Sequence, residues 1–296
     1  HNRGRGEKRM SAIFRHELKS YFHSLTAYVF GAFLLCFVGL GAMLYNIQAA
    51  YSNFEYVLAF GCLIFVVIVP ILTMRVLAEE RRQRTDQLLY SLPISTTEVI
   101  LGKYAALLVL YIIHLIIICF YPLVFAQFGE VYLPTSYGSL FAFFLMGAAL
   151  LALGMFISSI TENQGLAAGV GIAVILFNYY SVSLSEYVST SAIGSVLALL
   201  VLICALGLII RLLTGSFSLG YWVGLALAAL VIVVYIVNGD ALEGLLPEIM
   251  SALSLFERFY TFVNGVFDLP SIVYYLSVIV FFLFLSVQSL EKRRYN

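Results

Sequence analysis

Apolar positions run through this chain in long unbroken stretches, without the alternation of a half-buried strand or the narrow stripe of a soluble helix. Eight stretches lie near residues 25–46, 56–74, 104–128, 138–158, 166–184, 192–213, 219–237 and 271–290. Each is about as long as the roughly 20 residues that cross hydrocarbon as a helix. They predict an all-α transmembrane bundle forming one domain over residues 25–296. The fifth stretch is diluted by Asn178, Tyr179, Tyr180 and two serines, and the sixth and seventh are joined only by a short turn at Gly215 and Ser216. A six-span reading therefore stays open beside the eight-span one.

Between and before the spans the pattern changes. Residues 1–10 read as a polar N-terminal extension outside the fold. Residues 11–24 place Ile13, Phe14, Leu18, Tyr21 and Phe22 on one helical arc, with Arg15, His16, Lys19 and His23 opposite. Such a helix should lie on the inner membrane surface, its basic face toward anionic headgroups. Glu17 breaks the pattern by falling within the apolar arc, where it either reaches water or a neighbouring lysine, or contacts a cytoplasmic partner.

Residues 75–103, RVLAEERRQRTDQLLYSLPISTTEVILGK, open with Arg, Glu and Gln, continue through Leu88, Leu89 and Leu92, and stop at Pro93. Ser95 and Glu98 have the spacing of a capping box ahead of the third span. The product is a short amphipathic helix between two spans, with a leucine ridge that favours docking of another protein over a merely solvated face. Thr161 and Gln164 have cap spacing before the fifth span, where Gly165, Ala168, Gly169 and Gly171 make a face for close packing. Residues 239–270 are apolar but interrupted by acids, Pro247 and Pro270, and read as short helices at the outer interface.

Composition agrees: 62% of residues are hydrophobic and 11% charged, outside the range of soluble domains. With 16 basic and 16 acidic residues the net charge is zero, so the total says nothing about partners. Distribution says more. With eight spans and a cytoplasmic N-terminus, every Lys and Arg except Arg258 falls on the cytoplasmic side, which puts both termini inside. The basic N-terminal stretch leads into a span-length helix with no small-residue cleavage site, so the first span should not be a signal peptide.

Candidate chemistry is sparse. Gly102 and Lys103 are followed by Tyr104, so no phosphate-binding loop is present, and neither is H-E-x-x-H, a nucleophile elbow or a pair of intramembrane aspartates. No Asp, Glu, Lys or Arg falls at the centre of a predicted span, which speaks against an ion-coupled carrier. His114 reads as a neutral histidine bonded within the bundle or as a functional group. Arg211, at the inner end of the sixth span, is explained by snorkelling to the headgroups. Cys36, Cys62, Cys119 and Cys204 all lie in predicted spans without CxxC spacing and read as buried thiols.

The string MRVLAEERRQRTDQLLYSLPIS from Met74 to Ser95, with Gly102 and Lys103 after it, resembles the segment between spans two and three of exporter-type permease subunits of ATP-binding cassette transporters. GMFISSITENQGLAAG from Gly154 to Gly169 and the C-terminal stretch from Phe256 to Arg294 are similar to the same family, nearest to gliding-motility-type permeases. The likeness covers about Ser11 to Ser185 and Ser254 to Arg294, and residues 186–238 depart from it as an inserted apolar pair. The resemblance implies a permease that forms half of a translocation pathway and carries no cofactor itself. ATP and Mg would be bound by partner ABC ATPase subunits in the cell (cytoplasmic) membrane of a prokaryotic-type cell. A second permease chain, lipids and an auxiliary membrane subunit are the other implied partners, with no nucleic acid. It further implies that Arg75, Glu79, Glu80, Arg81, Thr85, Leu88 and Leu89 couple to the ATPase and pass its movement to spans two and three, with Pro70 relieving a kink. The alternative is a membrane scaffold or motility-associated anchor that recruits a cytoplasmic ATPase without transport.

Overall fold

The computed structural model describes residues 3–84, 94–214 and 217–295, and among them every regular element is helical. Helix α1 covers Arg3–Phe22 and α2 Leu25–Gly41, the latter continuing as a π-helical segment over Ala42–Gln48. Span two is built in pieces, α3 (Glu55–Gly61), a 3₁₀ turn at Cys62–Ile64 and α4 (Phe65–Thr73), and after a turn it is followed by the short helix α5 (Ala78–Gln83). Then come α6 (Thr96–Phe125), α7 (Leu133–Ile160), α8 (Gln164–Ser185), α9 (Ala192–Thr214) and α10 (Phe217–Val237). A 3₁₀ turn at Gly239–Leu242, α11 (Leu245–Leu253) and α12 (Leu255–Val263) precede the last helix, α13 (Leu269–Tyr295). Among the described residues, eight helical stretches are long and apolar enough to cross a membrane, the larger of the two numbers read from the sequence. This is a polytopic integral membrane protein.

The amphipathic helix begins at Arg3, so most of the stretch expected to lie outside the fold is helical. The capping box at the start of α6 is present, with the Ser95 hydroxyl accepting from Glu98 N–H and the Glu98 carboxylate accepting from Ser95 N–H. The cap of α8 differs from expectation. Thr161 closes the end of α7 in an extended conformation, and it is Asn163 whose Oδ1 accepts from Leu166 N–H. Asn163 stands immediately before the helix, where an N-cap must be. Of the small residues on α8, Gly171 meets a neighbour: a Cβ there would lie 3.1 Å from the Pro70 ring, whereas Gly169 has open space around it.

The chain divides into two compact units, residues 1–176 with 258–294, and 177–257 with the last two residues. In the first unit α7 is the central helix, with 89% of its apolar window buried. Its glycines let neighbours approach: a Cβ on Gly147 would fall 2.4 Å from the Tyr111 ring, and one on Gly154 2.3 Å from Thr73 Oγ1. Tyr111 donates to Phe143 O at 2.7 Å, and its ring meets Phe30 and Phe65 edge-on. His114 donates within its own helix, Nδ1–H to Leu110 O at 2.8 Å, and packs edge-on against Phe30. A Cβ on Gly31 would lie 1.9 Å from its Nε2, so His114 fills space that glycine leaves open.

One carboxylate is buried at the far end of span two from α5. Glu55 is 4% exposed at the first residue of α3, accepting from Asn53 Nδ2 at 2.7 Å and Ser136 Oγ at 3.3 Å. A helix N-terminus is a favourable place for negative charge.

In the second unit α9 and α10 form a close hairpin, apolar on all sides as befits helices whose solvent is lipid. A Cβ on Gly220 would lie 2.7 Å from Gly207 O, and the Arg211 guanidinium sits 5.2 Å from the centroid of the Phe217 ring. Asn178 explains its own presence in a span. Its side chain donates to Leu253 O at 3.1 Å and accepts from Leu255 N–H at 3.0 Å, satisfying the backbone at the break between α11 and α12.

Candidate functional site

The best-defined polar arrangement lies where α1, the α4–α5 turn and the first turns of α6 meet. Lys103 is two turns inside α6 because the capping box starts that helix at Thr96. Gly102, next to it, lets α1 lie against α6, since a Cβ there would be 3.0 Å from Ile13 Cγ2. The lysine is 1% exposed. Its Nζ donates to Glu17 Oε1 of α1 at 2.6 Å and to Glu80 Oε1 of α5 at 2.7 Å. A buried ammonium is tolerable only when paired and hydrogen-bonded, and here two carboxylates from separate elements supply that. Glu17 therefore sits within the apolar arc because its partner is buried there. Tyr21, one turn further along α1, is also buried, and its hydroxyl has no hydrogen-bond partner among the described residues. Burial, with the charges of Glu17 and Glu80, pushes its pKa well above the ordinary tyrosine value and keeps it protonated.

These residues form one wall of a cleft of ≈ 990 Å³, also lined by Arg9, His16, Arg75 and Glu79. Arg75 is half exposed, donates to Thr26 Oγ1 at 3.4 Å and lies 3.9 Å from Glu79 Oε2. Glu79 accepts from Gln83 Nε2 at 3.2 Å. Arg81 is buried, whereas Arg82, Gln83 and Arg84 are exposed. Of the residues expected to couple to a partner, Arg75 is thus exposed, Glu79 and Glu80 are half-buried, Glu80 bonded to Lys103, and Arg81 is buried. Thr85, Leu88 and Leu89 lie outside the described residues. On α1, Phe14 and Leu18 are half-buried and Phe22 is exposed.

The end of α13 closes in on the same region. Ser289 Oγ donates to Ser159 O at 3.0 Å, Thr96 Oγ1 to Glu291 Oε1 at 3.0 Å, and Arg294 to Ile94 O at 3.0 Å. Arg293 pairs with Glu162 at 2.6 Å. That hydrogen bond, and then the Arg293 charge, holds the Glu162 carboxyl below the usual range.

Nothing in this arrangement is a nucleophile poised by a base, and no group of metal-ligating side chains occurs among the described residues. The arrangement is mechanical: a charged knot joins a surface helix, a short helix after span two, and span three. Sequence reasoning passed over Lys103 as a site residue. The signal was there in two misplaced charges of opposite sign, a lysine two turns into an apolar helix and a glutamate on an apolar arc.

Residues 41–239 match the family model for ABC-2 family transporter proteins, well over half of the chain. The chain belongs to the ABC-2 transporter family. No curated protein and no solved structure matches it. The ABC-2 match agrees with the resemblance drawn from Met74–Ser95 and identifies an ABC transporter permease, whose family associates with an ABC ATPase subunit. It also runs through α9 and α10, the pair at which that resemblance falters.

Proposed function

We propose that this permease forms half of the pathway of an ATP-driven exporter and that α5, with the segment following it, is the docking surface for its ATPase. The observation that carries this reading is the Lys103 knot. A loop that only floated in solvent would not be anchored through a buried lysine to both α1 and α6. Anchored, it moves with the helices on which a partner pushes. The exposed side chains of Arg82, Gln83 and Arg84 and the half-buried Glu79 then meet the ATPase, while Glu80 ties the joint together. ATP and Mg belong to the ATPase, a second permease chain completes the pathway, and the cytoplasmic side of the cell membrane holds α1, α5 and both termini. The distribution of Lys and Arg supports that orientation.

Co-purification tests the reading. Co-expressed with an ABC ATPase subunit of its own cell, the chain should carry that ATPase through gentle detergent extraction, and the substitution Arg82→Glu should weaken the association without changing thermal stability. Recovery of the permease alone would contradict it.

A further inference from the structure

The short helix α5 has no side-chain cap of its own: Leu77, at its N-cap position, offers no hydrogen-bonding side chain, so the first amides of the helix need another acceptor. Ser158 supplies it from α7, some 80 residues away. Its hydroxyl oxygen accepts from Leu77 N–H and from Ala78 N–H, each at 3.1 Å, and its hydroxyl proton goes to Met74 O at 3.2 Å. A serine hydroxyl has one proton and two lone pairs, and all three are used on one turn of backbone. Ser158 is fully buried, as is Ala78, so water does not compete for these amides. One turn earlier on α7, Gly154 takes Thr73 at a distance that no Cβ would allow, so the end of span two lies flat against span four.

We infer that Ser158 is a positioning residue for energy coupling, fastening α5 to span four so that the two move as one body when the ATPase pushes. Span four is the most buried helix of its unit, and Ser159, the next residue, accepts from Ser289 of the last span. The stroke is thereby delivered to spans four and eight. It adds spans four and eight to spans two and three, which were expected to receive the movement and which α5 also meets, the one through the Met74–Leu77 turn and the other through Lys103. The inference rests on the reading of α5 as the ATPase docking element.

Two measurements test it. In the purified chain, hydrogen exchange of the Leu77 and Ala78 amides should rise about tenfold or more in Ser158→Ala, the size of effect that loss of a cap produces, and Ser158→Thr should keep most of the protection. Unchanged exchange in Ser158→Ala would overturn the cap. Should that variant fail to fold, fast exchange of both amides in the unaltered chain would do the same. In the complex with its ATPase, spin labels at Met74 and Pro134, in the turn that Ser158 holds and at the far end of span four, should keep one distance with and without ATP. In Ser158→Ala that distance should become nucleotide-dependent. A distance that already changes with ATP in the unaltered complex, or stays fixed in Ser158→Ala, would refute the fastening. If no ATPase binds, the docking reading fails while the exchange result still decides the cap.

Discussion

Neutralising the partners of Lys103 one at a time and together probes the knot quantitatively. At 2.6 and 2.7 Å, each contact carries about 6 kcal/mol of gross Coulomb attraction at an effective dielectric constant of about 20. Desolvation of each buried ion opposes this by several kcal/mol, so the net worth is far smaller. Glu17→Gln or Glu80→Gln leaves the ammonium one carboxylate and should cost about 1–3 kcal/mol, the range of a charge-assisted hydrogen bond. Removing both acids leaves a lysine that is 1% exposed with no countercharge at its head, and should cost about 3–5 kcal/mol. Lys103→Met alone leaves two carboxylates facing each other and should also destabilise. The triple variant Lys103→Met, Glu17→Leu, Glu80→Leu leaves no charge in the knot and should recover most of the loss, because well-packed apolar replacements of buried ion groups are often neutral. Detergent-solubilised protein titrated with denaturing detergent and followed by circular dichroism gives the ranking. A double acid variant no less stable than either single one, or a triple variant no more stable than Lys103→Met, would refute the pairing of Lys103 with both acids.

Three further outcomes follow from the packing and the surface charges. Gly31→Ala should lower the thermal midpoint, since the new Cβ would meet His114 Nε2 at 1.9 Å, and adding His114→Ala should restore most of the loss; no rescue would contradict that contact. Gly147→Ala should destabilise by about 1–3 kcal/mol through the Tyr111 ring, against almost nothing for Gly169→Ala, whose surroundings are open. Because the folded-state pKa of Glu162 is lowered by Arg293, its contribution is present above the ordinary carboxylate range and lost as pH falls through the depressed value. NMR titration of the Glu162 carboxyl should give a midpoint below the usual range that returns to it in Arg293→Gln.

Spans were legible in the sequence because a bilayer demands about 20 apolar residues in a row, a requirement local to each segment. The capping box of Ser95 and Glu98 was legible for the same reason, its partners being three residues apart. Asn163 displaced Thr161 as a cap because α8 starts at Gln164, and spacing alone does not locate a boundary that closely. Lys103 and Ser158 were not legible as partners of α5. Their partners stand 23 and about 80 residues away, and only the packing of α1, α6 and α7 brings them together. Glu55 was hidden in the same way, its burial depending on Ser136 from another span. Polar groups that satisfy distant backbone or buried charge resemble ordinary surface or span residues until the neighbours are known.

The central claim is that the exposed edge of α5 meets the ATPase, and a photo-crosslinking amino acid placed there tests it most directly. Incorporated at Arg82 in membranes containing the full complex, it should capture the ATPase subunit, and the same probe at Glu130, in the exposed turn before α7, should not. Capture from Glu130, or none from Arg82 in a complex that still hydrolyses ATP, would contradict the account.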